Sequence, residues 1–409
     1  MSTRRIDHST AGAPATGPDT EADRPEGSSV APVSSKDRAL NAERVARIAR
    51  EVRTVLPDFD EQAFVSSVMA DLPTLELKAR ITRVASGLND HLPAGPSGLD
   101  ALIASLPPSP EAAGVTNDFG LHIYSPHSEY AARHHLDRAS LDRALEALRA
   151  FTRYFSAEDA VRSFLNAFPD ETMAAVRAWA RDEDYRVRRL ASESTRPHLP
   201  WSAAIGLPAD TAIPVLDDLY GDGSRFVTAS VANHLRDIAR TQPDLVLSTL
   251  GRWRDQGGAT DKEFAFIARE ALRTRLKEGW APAFTFLGYT PDAPLELSPL
   301  RLERTELQEG DTLAFAADLA APAQTAVHVM YLIAGTTPTG RNREKAHQLA
   351  KRTTGSAALS LAKRHPLRST ANFPLSPGRY ELIVQVNGRR FPSAPFRIVA
   401  AVAEAEAAD

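Results

Sequence analysis

Between Ala39 and Leu287 the chain never sustains one pattern for long. Stretches with apolar residues three and four apart are cut by Pro57, Leu92-Pro93, Pro107-Pro108-Ser109-Pro110, Pro169, Pro197, Pro208 and Pro243. That spacing gives each stretch one apolar stripe, and proline cannot continue a helix, so this half reads as many short helices joined by tight connections. The first of them places Ala42, Val45, Ala46, Ile48, Ala49 and Val52 between arginines and glutamates.

A shift of 40 residues brings part of the chain onto itself: Asp182, Val187 and Ala191 recur as Asp222, Val227 and Val231, while Arg186 falls on Phe226 and Glu193 on Asn233. A period near that length, built of paired helices, is what HEAT-like and armadillo-like solenoids show. It predicts a superhelix with one concave wall, a surface for something long. After Pro291 the texture changes. Residues 327–333, 380–386 and 396–399 read as strands, and Asn387-Gly388 is a strong hairpin turn before Arg389-Arg390-Phe391. About 110 residues of short strands with Pro and Gly turns predict an immunoglobulin-like β-sandwich.

The 409 residues are therefore expected as a mainly α protein in four parts. These are a disordered tail over 1–37, a helical-repeat domain over 38–290, a sandwich over 291–400 and a frayed Ala/Glu/Asp end over 401–409. No run of 18 uncharged apolar residues occurs and no apolar stretch follows Arg4-Arg5, so neither a spanning helix nor a secretory signal is expected, and the address is cytoplasmic. The absence of cysteine excludes disulfides, thiolate nucleophiles and cysteine-bound metal centres. There is no H-E-x-x-H, no Walker loop and no G-x-S-x-G, and His134-His135 diverge on a helix, which argues against serine, zinc and P-loop hydrolases. Neither metal nor cofactor is expected.

Three helical segments gather charge. In the first, Ser156 is a candidate N-cap, and Glu158 and Arg162 share a face at i, i+4; a capped helix with a surface ion pair accounts for the same residues. In the second, Val187, Leu190 and Ala191 make the buried stripe and leave Arg189 beside Glu193. Arg186, Arg188, Arg189 and Arg196 crowd eleven residues opposed only by Glu193, either as a phosphate-binding strip or as a solvated face. In the third, Val231, Leu235 and Ile238 are the stripe, Asn233 lies beside Asp237, and Arg236 lies beside Arg240. If the repeat holds, the wall presents Glu193, Asn233 and Asp237 together. Carboxylates in an arginine-lined groove weaken affinity for a polyanion, so they point to another purpose, chemical or structural. Trp179 and Trp201 read as core or connection aromatics, with a π-face for a cationic base as the functional alternative for Trp201. In the C-terminal domain Arg341, Arg343, Lys345, Lys351, Arg352, Lys363, Arg364 and Arg368 form a basic run broken by Glu344 alone, which suits nucleic-acid contact or a solubilising face.

With these residues in view, the chain resembles the AlkC-type DNA alkylation repair glycosylases. The resemblance rests on Phe155-Ser156-Ala157-Glu158, on Val187-Arg188-Arg189-Leu190-Ala191-Ser192-Glu193 with Thr195-Arg196-Pro197 and Leu199-Pro200-Trp201, and on Ser230-Val231-Ala232-Asn233 with Asp237-Ile238-Ala239. The strand pair from Pro377-Gly378 to Val386-Asn387-Gly388 is similar to the immunoglobulin-like domain of one AlkC subgroup. The resemblance implies a monomeric, monofunctional glycosylase. Its helical superhelix would grip duplex DNA and release cationic methylated bases, chiefly 3-methyladenine and 3-methylcytosine, without flipping them. It implies that Glu193 and Asp237 stabilise the sugar cation and handle water, with Glu158 in support and Trp201 beside the lesion. The DNA contacts expected are Arg162, Arg188, Arg189, Arg196, Asn233, Arg236 and Arg240 on the wall, and Arg341, Arg343, Lys345, Lys351 and Arg352 on the sandwich. Three positions depart from the family pattern: Ser194 where glycine is usual, Asp159 where an apolar residue is usual, and Val227-Thr228-Ala229 where arginines are common. The rival expectation is a non-catalytic helical-repeat scaffold that recognises DNA structure or a protein, with its carboxylates purely structural.

Overall fold

The structure, a computed structural model, describes residues 34–336, 340–371 and 373–400; residues 1–33 and 401–409, most of the expected tails, lie outside the described residues. The disordered tail was expected to reach residue 37, but a first helix, Ser35–Ala39, begins earlier. Ser34 Oγ accepts from the Asp37 amide at 3.2 Å and the Asp37 carboxylate pairs with Arg80 at 2.8 Å, which ties this segment to the domain.

The prolines open helices as often as they end them. Pro96, Pro126, Pro169, Pro214, Pro243 and Pro282 all stand in a first helical turn, where the missing N–H has no intrahelical partner to lose. Helices Leu77–His91, Ser125–His134, Glu158–Ala167, Tyr185–Ser194, Arg225–Ile238 and Asp261–Ala271 each pack on the next to form one continuous layer. Behind it Pro96–Ser105, Leu141–Phe151, Pro169–Trp179 and Ile213–Leu219 form a second. Val161, Phe164, Val187, Leu190, Val231 and Leu235 belong to the single apolar core between them.

The expected shift of 40 is a structural repeat. Asp182 Oδ1 accepts from the Asp184 amide at 2.9 Å and Asp222 Oδ1 from the Ser224 amide at 2.8 Å, each opening the helix that follows. Each also receives an arginine from the preceding repeat, Arg149 on Asp182 and Arg188 on Asp222.

From Glu296 the chain is a two-sheet sandwich with its own core. One sheet joins Glu296–Leu297, Thr312–Ala320, Arg301–Leu302 and Leu359–Pro366; the other runs Glu306–Leu307, Ala394–Ile398, Gly378–Val386, Ala326–Thr336 and Asn342–Thr353, with Arg389–Arg390 on Gly378–Val386. The Asn387-Gly388 turn is present, with φ of 48° and 90°, the left-handed pair a two-residue hairpin needs. Strands Asn342–Thr353 and Leu359–Pro366 carry most of the basic run. They lie at sheet edges, where charged side chains also deter edge-to-edge pairing.

The outer face of the second sheet is docked on the last helices. Gln385 Nε2 donates to the Leu276 carbonyl at 2.8 Å and Asn387 Nδ2 to that of Thr290 at 3.2 Å. The His328 ring lies 5.7 Å from Phe284 and 5.6 Å from Tyr289.

Candidate active site

Three successive helices of the continuous layer each deliver one carboxylate to the same place. Glu158 opens Glu158–Ala167, Glu193 lies in the last turn of Tyr185–Ser194, and Asp237 lies in the last turn of Arg225–Ile238. Arg196 joins two of them: its Nε donates to Asp237 Oδ2 at 2.9 Å, its second amino group lies 2.8 Å from the same oxygen, and its first donates to Glu193 Oε1. Arg189 bridges the others, 3.2 Å from Glu158 Oε2 and 3.6 Å from Glu193 Oε1. Ser230 completes Glu193, donating to Oε2 at 2.6 Å. The Asp237 side chain is only 1% exposed and that of Glu158 10%.

Burial works against the charge on Glu193, but Arg189, Arg196 and the Ser230 hydroxyl outweigh it and hold the carboxyl below its ordinary range. Burial likewise opposes the charge on Arg196, and Glu193 and Asp237 more than compensate. Beneath them His234, fully buried against the Ser192 carbonyl at 3.0 Å, is pushed down to about 3 by burial and then by Arg196, so it is neutral. The site is an ionised, hydrogen-bonded network. Trp201 is 61% exposed, on the loop that follows Arg196, whose position is set from two sides. Lys78 Nζ donates to the Trp201 carbonyl at 3.3 Å and pairs with Asp159 at 3.3 Å. Arg162 donates to the carbonyls of Ala203, Ser194 and Arg196 at 2.6, 3.1 and 2.8 Å.

Several sequence expectations change here. Ser156 is not an N-cap, because Ala157 holds that position; its hydroxyl donates to Glu158 and accepts from Arg189 instead. Glu158 and Arg162 do not pair. Arg162 is fully buried and braces the Trp201 loop, turned away from the surface that a phosphate contact needs. Arg188 is drawn to Asp222 and to the carbonyls of Asp182 and Glu183 at 2.8 and 2.9 Å, so it staples repeats together. Arg189 and Arg196 are buried in the carboxylate network, away from the surface that a phosphate strip would need. Arg240 is half-exposed 3.9 Å from Asp237, Arg236 is partly buried 3.9 Å from Glu270, and Asn233 is half-buried. On the sandwich Arg341, Arg343, Lys351 and Arg352 are exposed, and Lys345 reaches Thr370 at 3.3 Å. Trp179 is a core residue.

Lys78 and His234, and the carboxylate partnerships of Ser156 and Ser230, went unread because single amines, imidazoles and hydroxyls carry no spacing signal. Of the departures, Ser194 donates to the Leu190 carbonyl at 2.8 Å, Asp159 receives Lys78, and Thr228 donates to Glu263. Among the described residues no three His, Asp or Glu side chains converge as a metal site, and no helix is long and apolar enough to cross a membrane.

Residues 129–274 match the family model described as DNA alkylation repair enzyme, and residues 296–400 match the C-terminal Ig-like domain of the uncharacterised protein YhaZ. The chain belongs to this DNA alkylation repair family, in its AlkC-type branch with an Ig-like domain. It is 30% identical over 315 residues to the uncharacterized protein YhaZ of Bacillus subtilis (strain 168), covering 76% of this chain and 84% of that one. It also matches the solved structure of Pseudomonas fluorescens alkylpurine DNA glycosylase AlkC bound to DNA containing an abasic site analog. That likeness has a TM-score of 0.78 and 32% identity, over 89% of this chain and 99% of the other.

Proposed function

We propose that this chain is a monofunctional DNA glycosylase of base excision repair. It hydrolyses the N-glycosidic bond of cationic methylated bases, 3-methyladenine and 3-methylcytosine, in duplex DNA without flipping them, as a monomer needing neither metal nor cofactor. The observation that carries the reading is the Glu193–Arg196–Asp237 bridge, joined through Arg189 to Glu158, with the exposed Trp201 on the loop that follows Arg196. A base alkylated to a cation leaves readily, so the barrier lies in the oxocarbenium-like sugar that remains, and carboxylates fixed in a dry site stabilise that charge. Asp237 and Glu193 take this role and orient or deprotonate the water, while Glu158 supports them. Trp201 offers a π-face to the cationic nucleotide.

The Arg196 guanidinium occupies the space between Asp237 and Glu193. It is a planar delocalised cation, the kind of charge the damaged nucleotide brings, so DNA engagement exchanges Arg196 for substrate. Lys78, engaged by Asp159 and a carbonyl, is not poised as a Schiff-base nucleophile; borohydride is therefore expected to trap no protein–DNA adduct. Phosphate contact falls to Arg240, Asn233 and Arg236, then across to the sandwich edge with Arg341, Arg343, Lys345, Lys351 and Arg352. Burial, then Arg273, Arg236 and Lys345, opposed by Glu270, lower the affinity of Lys277 for a proton, so cations of both domains meet around Glu270 at their junction.

The test is release of free base from dimethyl-sulfate-treated duplex by wild type and by Asp237→Asn. Release by wild type alone supports glycosylase chemistry. The burial of Asp237 and Glu158 favours the rival, a non-catalytic DNA-binding scaffold, and that reading gains if salt-sensitive binding occurs without release.

A further inference from the structure

At the margin of the carboxylate network a tight turn, Asn117-Asp118-Phe119-Gly120, holds a phenyl ring in water. Phe119 is 57% exposed; among the described residues only Leu136 and Trp201 are other large hydrophobics left so open. The turn itself is firmly built. Asn117 Oδ1 accepts from the amides of Phe119 and Gly120 at 3.0 Å each. The Ser156 amide donates to the Phe119 carbonyl at 3.1 Å, the Leu121 amide to that of Tyr154 at 2.8 Å, and the Tyr185 hydroxyl to Asp118 at 2.8 Å. Gly120 sits at φ 90°, and a Cβ there would collide with the Tyr154 carbonyl, so only glycine lets the turn approach this closely.

The ring is wired to the site. Phe119 lies 5.4 Å from the Arg189 guanidinium carbon and meets Phe226 edge-on at 5.0 Å, while Phe226 covers the same guanidinium at 4.7 Å. Arg189 in turn pairs with Glu158 and Glu193. The Phe119 carbonyl is held by the Ser156 amide and the Trp201 carbonyl by Lys78, which also pairs with Asp159, so the loops that carry the two exposed rings are both tied to the start of the Glu158–Ala167 helix. Arg186 lies over Tyr185 at 4.6 Å, and the Tyr185 ring meets Phe226 at 6.2 Å, so the exposed ring is one edge of an aromatic and guanidinium cluster. Such an edge suits an occupant with a flat apolar face, and a nucleotide offers one in its base.

We propose that Phe119 is a substrate-contact residue whose ring packs on the damaged strand next to the lesion, as a second aromatic face besides Trp201. This rests on the glycosylase reading for its consequence in catalysis, but the contact itself needs no chemistry. Two assays on the full-length chain test it. The first follows fluorescence of 2-aminopurine placed beside a tetrahydrofuran abasic analogue; the second follows single-turnover release of methylated base. For Phe119→Ala we expect loss of the wild-type fluorescence change and about a tenfold or greater fall in release, the order of one lost aromatic–base contact. Affinity for undamaged duplex and the unfolding midpoint should stay put. Phe119→Leu, which keeps apolar bulk over Arg189, should keep that midpoint and recover only part of the fluorescence change. Wild-type fluorescence and release in Phe119→Ala would overturn the proposal. So would a loss that tracks a lowered midpoint and is fully restored by Leu, since the ring would then only shield Arg189. If the wild type releases no base, the glycosylase reading fails by itself, and the fluorescence assay still decides the contact.

Discussion

The helical wall and the edge of the sandwich are both dense in arginine and lysine, yet they hold those cations in opposite ways. On the wall Arg162, Arg188, Arg189 and Arg196 are turned inward onto carbonyls and carboxylates. On the sandwich Arg343, Lys351 and Arg352 stand exposed on an edge strand. Density of positive charge in a sequence therefore does not tell whether a cation is available; its distance from a carboxylate or a stranded carbonyl does. Arg162, Arg188, Arg189 and Arg196 are part of the fold, whereas Arg343, Lys351 and Arg352 are exposed to an outside anion.

The comparison breaks most sharply at Asp237. Asp237→Asn should lower base release by about two to three orders of magnitude, the usual cost of removing one preorganised electrostatic group. The amide still accepts from Arg196, so circular dichroism should remain native. Next comes Arg162→Ala, which removes a charged donor from three carbonyls and should cost about 2–4 kcal/mol in urea denaturation. The salt dependence of duplex binding should not move, since no phosphate contact is lost. The converse holds for Arg343→Ser with Arg352→Ser: stability should stay within about 0.5 kcal/mol. The slope of log affinity against log salt should fall by about 0.9 for each.

The smallest effect concerns acid. His234 is held neutral with its pKa near 3 against an ordinary 6.5, so its contribution is complete above pH 6.5 and is lost as pH falls from there toward 3. Glu193, depressed below 4.5, adds a second loss at still lower pH. The urea midpoint should thus decline between pH 7 and 5; His127, His328 and His347, which burial holds at about 4, share in that decline, so His234→Gln should remove only its own part of it.

Much of the fold was legible because it depends on periodicity. Apolar stripes, proline breaks, the Asp182/Asp222 correspondence and Asn387-Gly388 are all local signals. The strand Asn342–Thr353 was not, since its charged residues answer to an edge and not to a core. At the site, Glu158, Glu193 and Asp237 could be singled out from their motifs, and the structure gathers them. What escaped was partnership: Arg196 looked like one of four equal arginines, and only the fold shows that it faces two carboxylates. Ser156 looked like a cap because the helix start was misjudged by one residue. Phe119 carried no signal at all, as one phenylalanine in a loop resembles any other.

A stack of like helices has no natural last member, and its final apolar face must be covered by something unlike itself. Here Gln385, Asn387 and His328 of the sandwich provide that cover over Leu276, Phe284 and Tyr289. The sandwich is thus the terminus of the helical array, and removing it would uncover oil as well as subtract charge. Because a buried amide is spent in the joint, the span from the carboxylates to the basic edge is set when the chain folds. The protein behaves as a caliper with a fixed opening, and any partner that touches both jaws must adopt its gauge.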